Sequence, residues 1–222
     1  MLILPTASAP EGEEVFDRWG TKGLDHYARA GRQARVVPLA GREDAYREDL
    51  IEMLEGAGAA FFSGGDPAYL ALVLTGTPFW SALREAMDTG LAYAGCSAGV
   101  ACLGDVAPDS TRRSLDDDLW APGLGMFPGT WFGPHWDAMD MYKPGFRAFM
   151  EASVPSGARL VAIDEDTAMV GDGRTWSVLG GGAVHVREVH MRESGVHLRE
   201  GGTWTSYDSG TELELELMTQ GV

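Results

Sequence analysis

Sulfur, positive charge and long apolar runs are all scarce in this chain of 222 residues. Its two cysteines, Cys96 and Cys102, are too few for the disulfide framework of a secreted scaffold or for a cysteine-rich zinc site. No stretch approaches the roughly 18 consecutive apolar residues of a membrane span. The opening residues 1–10 lack the basic segment and full apolar core of a signal peptide, so a cytoplasmic protein is expected. Lys and Arg number 17 against 33 Asp and Glu, a formal charge of −16, and the one basic cluster is the pair Arg112 and Arg113. That balance repels phosphate backbones and acidic lipid surfaces, which excludes nucleic acid and membrane as expected partners.

Apolar residues and glycine are plentiful. With 45% hydrophobic and 23% charged residues the chain can bury a sizeable core, and a single domain over residues 1–222 is expected. The 30 glycines cluster at Gly64-Gly65, at Gly95 and Gly99, and at Gly180 to Gly182, where turns or close backbone approach need them. Short apolar runs at 1–5, 35–39, 59–62 and 91–94 read as strands. They alternate with helical spacings over 13–30, 43–55 and 78–89, and a helix start is expected at Pro67. Such alternation argues an α/β fold, a three-layer sandwich around a mostly parallel sheet. Residues 105–118 read as a polar surface loop. Short strands over 160–163, 168–170, 176–179 and 183–186 make the C-terminal part β-rich, with residues from about 183 to 222 as an extension.

The chemistry gathers at a few places. Gly95-Cys96-Ser97-Ala98-Gly99 follows an apolar strand and opens a helix, the setting of a nucleophile elbow in which a serine sits on a sharp turn. A serine needs a base. His26 reads as a surface or packing residue, and His185, His190 and His197 lie in the β-rich tail without zinc-site spacing. His135, in Gly133-Pro134-His135-Trp136, sits where an imidazole can project from a strand end. Ile163-Asp164-Glu165-Asp166 offers carboxylates at another strand end to orient that imidazole, Glu165 first and Asp164 second. The backbone N–H of Ala98 and one from Gly64-Gly65-Asp66 are the expected oxyanion donors. Trp120, Trp131, Phe132, Trp136 and Tyr142 crowd the region of His135 and are candidates to line a small pocket. Arg147, with Lys143, Arg112 or Arg113 as alternates, is a candidate to bind a substrate carboxylate.

Phe62-Ser63-Gly64-Gly65-Asp66, the elbow, Gly123-Leu124-Gly125-Met126-Phe127, Pro134-His135-Trp136 and Ile163-Asp164-Glu165-Asp166-Thr167-Ala168 occur in one order from about Met1 to Gly182. Together they resemble the aspartyl dipeptidase (dipeptidase E) and cyanophycinase family of serine peptidases. The resemblance implies a class I glutamine amidotransferase-like, flavodoxin-like fold, with Ser97 as nucleophile, His135 as base and Glu165 or Asp164 as acid. It also implies Gly65 and Ala98 as oxyanion donors and no metal or organic cofactor; Asp66, Arg147 and Trp136 are the candidate substrate contacts. The partner would be a peptide substrate, and a homodimer is compatible. The order Ser, His, acid differs from the Ser, acid, His order of α/β-hydrolases. Family members generally carry an extra strand ahead of the one at Leu2, so the sheet edge is expected to differ here. Only one arginine remains in the segment from Met141 to Arg147, and Pro67 follows Asp66. Two other readings stand beside this one: an amidase or amidotransferase using Cys96, and a non-catalytic binding member of the fold.

Overall fold

A computed structural model describes residues 1–192 and 199–217; His197, considered above, lies outside them. The chain divides into two compact units. One comprises Met1–Cys102, Ala107–Arg113 and Leu119–Leu124, the other Leu103–Val106, Ser114–Asp118 and Gly125–Val222.

In the first unit β1 (Leu2–Leu4) is followed by a 3-10 turn and by α1 (Glu13–Arg29), then β2 (Arg35–Val36) and α2 (Glu48–Glu52). Next come β3 (Ala59–Phe62), α3 (Pro67–Leu74), α4 (Pro78–Asp88), β4 (Ala92–Gly95) and the short α5 (Ala98–Ala101). The strands form one sheet in the order β2-β1-β3-β4 with every neighbouring pair parallel. A parallel strand covered on both faces must be apolar throughout, and Leu2, Ile3 and Leu4 are all buried. Helix α1 lies close on this sheet because glycine faces it: a Cβ on Gly23 would stand 2.6 Å from Ile3 Cγ2 and one on Gly20 3.1 Å from Val36 Cγ2. α4 starts where expected, with Pro78 in the first turn and Thr77 Oγ1 accepting from Trp80 N at 3.3 Å.

Two expectations change. The helix read over 43–55 is a 3-10 turn at Asp44–Tyr46 and then α2, separated by Arg47, whose backbone is extended; the Asp44 carboxylate accepts from the N–H groups of Ala40 and Gly41 just ahead of that turn. The stretch read as a loop contains β5 (Val106–Pro108), which pairs with β6 (Trp120–Pro122) just beyond it; Ala107 and Leu119 are buried there.

The second unit carries β7 (Thr130–Pro134), α6 (Met139–Tyr142), α7 (Phe146–Ser153) and β8 (Arg159–Ile163), then β9 (Thr167–Gly171), β10 (Thr175–Gly180), β11 (Ala183–Arg192), β12 (Arg199–Asp208) and β13 (Glu212–Glu214). One sheet has the order β12-β11-β8-β7, in which only β7 and β8 run parallel; a second, antiparallel sheet has the order β13-β10-β9. The C-terminal part is therefore β-rich, as its short apolar runs and Gly-rich turns suggest. Among the described residues no helix is long and apolar enough to cross a membrane.

Phe62 ends β3 with no exposure and stacks on Tyr93 of β4, ring centroids 4.9 Å apart. Phe62→Ala is expected to lower the unfolding free energy by about 3–5 kcal/mol, read from the midpoint of urea denaturation.

Candidate active site

Parallel strands deliver their carboxyl ends to one edge of the sheet, and in open α/β sheets ligands bind outside those ends. The turn after β3 is Ser63-Gly64-Gly65. Gly65 has φ +143, and a Cβ there would overlap the carbonyl oxygen of Ala7 in the turn after β1, so only glycine fits. Asp66 N donates to that same Ala7 oxygen at 2.8 Å. Asp66 then caps α3, accepting from Tyr69 N at 2.8 Å, and its other oxygen accepts from Ser110 N and Ser110 Oγ at 3.2 and 2.7 Å. Buried as it is, this carboxylate ties the helix start to the loop around Ser110.

The elbow after β4 is built by exclusion. A Cβ on Gly95 would overlap the oxygen of Gly99, and one on Gly99 would come within 2.5 Å of Phe62 O and 2.9 Å of Phe62 Cβ. With both glycines in place the turn closes tightly on β3, and Ser97 is forced to φ 51, ψ −112. That region costs a non-glycine residue on the order of 1–3 kcal/mol and persists where the surroundings over-determine it. Ser97 precedes α5 but makes no side-chain cap bond, so its hydroxyl is not spent on its own helix. Ala98 is the first residue of α5, where a backbone N–H has no intrahelical acceptor. Gly64 lies against the serine: a Cβ there would be 3.3 Å from Ser97 Cβ and 3.6 Å from Oγ.

Cys96, one residue earlier, has its thiol pushed up by burial, against a weaker opposing effect of the Gly64 N–H. Cys102 is fully buried and pushed up to about 12. Neither is a ready thiolate.

In the second unit the register Pro134↔Ile163 aligns the ends of β7 and β8, so residues beyond them emerge side by side. Trp136 N donates to Ile163 O at 3.0 Å and continues the ladder past the strand end. His135 is the residue between, with φ 59. Its Nδ1 lies 3.1 Å from Glu165 Oε1. A carboxylate only accepts, so in the neutral ring the proton sits on Nδ1 and the Nε2 lone pair remains available. Glu165 N donates to Asp137 Oδ1 at 2.8 Å, and Tyr142 OH donates to Glu165 Oε1 at 2.6 Å. That bond pushes the Tyr142 phenol above its ordinary value. Asp164, the second choice for the acid, is bonded to β11. It accepts from Ala183 N at 3.0 Å and lies 3.2 Å from His185 Nε2, while His185 Nδ1 is 2.8 Å from Ser206 Oγ.

Arg147 lies over the Trp136 ring, 4.5 Å from its centroid, with Nε 3.5 Å from Glu151 Oε1. Trp136 is 2% exposed and meets both that guanidinium and the Trp204 ring. Lys143 Nζ donates to Ser114 O at 3.4 Å, and Arg112 pairs with Asp109 at 3.4 Å. Among the described residues no group of three or more His, Cys, Asp or Glu side chains is placed to hold a metal. The described non-glycine residues with left-handed backbone are Ser97, His135 and Asp166, the last directly after Glu165. Sequence reasoning assigned Tyr142 to a pocket wall and missed its bond to Glu165, which no local pattern signals.

The sequence profile of peptidase family S51 matches residues 1–179. The chain belongs to peptidase family S51. A cyanophycinase from Synechococcus elongatus is 31% identical over 193 residues, covering 83% of this chain and 57% of the relative; the chain thus spans little more than half the length of that curated protein. A solved peptidase from an acI-B1 Actinobacterium superposes with TM-score 0.80 at 28% identity, over 97% of this chain and 83% of that one. A candidate peptidase E protein from Listeria monocytogenes EGD-e shares the fold at TM-score 0.54 and 15% identity, over 93% and 84%.

The S51 elbow turn leaves no room at residue 99. Gly99→Ala is expected to cost at least about 2 kcal/mol and to lower Tm by at least about 4 °C in a thermal melt.

Proposed function

We propose that this S51 chain is a serine peptidase that hydrolyses dipeptides or other short peptides, with Ser97 as nucleophile, His135 as its base and Glu165 as the acid. The observation that carries the reading is Ser97 itself, held at a costly backbone conformation by two glycines that admit no side chain, with its hydroxyl unspent. The Nδ1 contact of His135 with Glu165 supports the rest, since it leaves Nε2 as an acceptor.

The chemistry is acyl transfer. Ser97 Oγ attacks the scissile carbonyl while His135 Nε2 takes its proton, and the N–H groups of Gly65 and Ala98 receive the oxyanion. His135 then gives the proton to the departing amine. Water, deprotonated by the same imidazole, attacks the ester carbonyl, and Ser97 leaves with the proton returned to it. Glu165 stays ionised and holds the imidazolium.

Arg147, kept in place by Trp136, is proposed to receive a substrate carboxylate. A preference for aspartyl peptides, including the polymer acted on by cyanophycinases, follows from the kinship and belongs to the proposal. So does the view that residues 1–222 act as a single peptidase domain and that two copies associate. The raised thiol of Cys96 speaks against the amidase reading.

The test is a panel of Asp-X dipeptides, unrelated dipeptides, blocked-end peptides and cyanophycin, run on wild type and variants. Ser97→Ala is expected to lose at least about 1,000-fold in kcat, while Cys96→Ala stays within about threefold of wild type. Retained activity in Ser97→Ala, with loss in Cys96→Ala, would transfer the nucleophile to sulfur. No cleavage by folded wild type, together with no labelling by a fluorophosphonate, would favour the binding reading.

A further inference from the structure

Glu165 is an unusual choice for the group that orients a catalytic imidazole, because it is long and only partly covered: its side chain is 39% exposed and that of His135 35%. A carboxylate on two methylenes at a strand end has several rotamers open to it, and water competes for its oxygens. A fixed imidazole therefore needs a second restraint on the carboxylate. Helix α6 supplies one. It follows β7 after a four-residue connection and ends in Tyr142, whose hydroxyl donates to Glu165 Oε1, the same oxygen that meets His135 Nδ1. The phenol ring also lies against the imidazole, centroids 5.2 Å apart with the planes tilted by 53°. One side chain thus touches both members of the pair.

We infer that Tyr142 is a positioning residue that pins the Glu165 carboxylate and tempers its pull on the His135 proton; the inference rests on the proposed roles of His135 and Glu165. Two donors on one oxygen share its charge. With the phenol bonded, Oε1 offers less negative charge to the imidazole, and the imidazolium is less favoured than beside a free carboxylate. The charged and titratable groups around the pair belong to this account: Asp137, which accepts from Glu165 N, and Asp164, which is turned to His185. On α7, Arg147 is engaged with the Trp136 ring and Glu151. Tyr142 OH donates to the same Oε1 that meets His135 Nδ1, which makes the phenol a competing donor.

Tyr142 is 68% exposed and makes no core contribution that its ring does not retain as phenylalanine, so Tyr142→Phe is expected to fold. The readout is an NMR titration of the His135 ring protons in wild type and Tyr142→Phe, assigned by their loss in His135→Ala. Removing the hydroxyl is expected to raise the His135 titration midpoint by about half a pH unit or more. On whichever panel peptide is cleaved, the acid limb of kcat/KM is expected to move upward in parallel. There kcat falls about tenfold, KM stays within twofold, and the loss is not additive with that of Glu165→Gln. An unchanged midpoint in Tyr142→Phe overturns the inference, as does an effect confined to KM, which would make Tyr142 a substrate contact. The titration needs no substrate, so a midpoint that shifts in a protein cleaving nothing would leave the phenol–carboxylate coupling standing while the peptidase reading falls. Conversely, wild-type kinetics in Tyr142→Phe beside a dead Ser97→Ala would retain the peptidase reading and remove Tyr142 from it.

Discussion

A parallel β ladder sends the carboxyl end of every strand to one edge, and that constraint organises the first unit. Three chain segments leaving β1, β3 and β4 must turn within a few ångströms of one another, because neighbouring strands are less than 5 Å apart. Side chains do not fit in such a crowd. The outcome is a row of close approaches between turns: Gly65 against the Ala7 carbonyl, Gly99 against the end of β3 at Phe62, and Gly64 against Ser97. Ser97 stands in the middle of them at φ 51, with no side-chain bond to its own helix.

In the second unit the same constraint acts through a single parallel pair. The aligned ends of β7 and β8 bring together His135 and Glu165, which are 30 residues apart in sequence. The connection between those strands carries α6 and α7, and so carries the residues flanking the pair: Tyr142 at the carboxylate and Arg147 on the Trp136 ring. Strand register thus decides which two polar residues meet, and the crossover decides what surrounds them.

The legible parts of the sequence were those where a local rule has one solution. Gly95 and Gly99 around Ser97, and Thr77-Pro78 at the start of α4, state their backbone demands outright. The choice between Asp164 and Glu165 was not legible. Adjacent carboxylates at a strand end differ only in the direction each takes, and that direction is set by β11, where His185 and Ala183 N claim Asp164. The cap that Asp66 gives α3 through Tyr69 N is local and legible, whereas its bonds to Ser110 join residues 44 apart and are not. β12 and β13 escaped notice because Arg199–Asp208 and Glu212–Glu214 are mostly polar, and their stability comes from ladder partners rather than from apolar periodicity.

The left-handed backbones at Ser97, His135 and Asp166 bear on how such a chain drifts. At each of these positions glycine would fit the observed φ without steric cost, so a chain selected for stability alone would be drawn toward glycine there. Keeping an imidazole at 135 and a hydroxyl at 97 therefore opposes the gradient of folding free energy. On the proposed roles of Ser97 and His135, loss of selection for activity would show first at these strained positions, before the packed strands change.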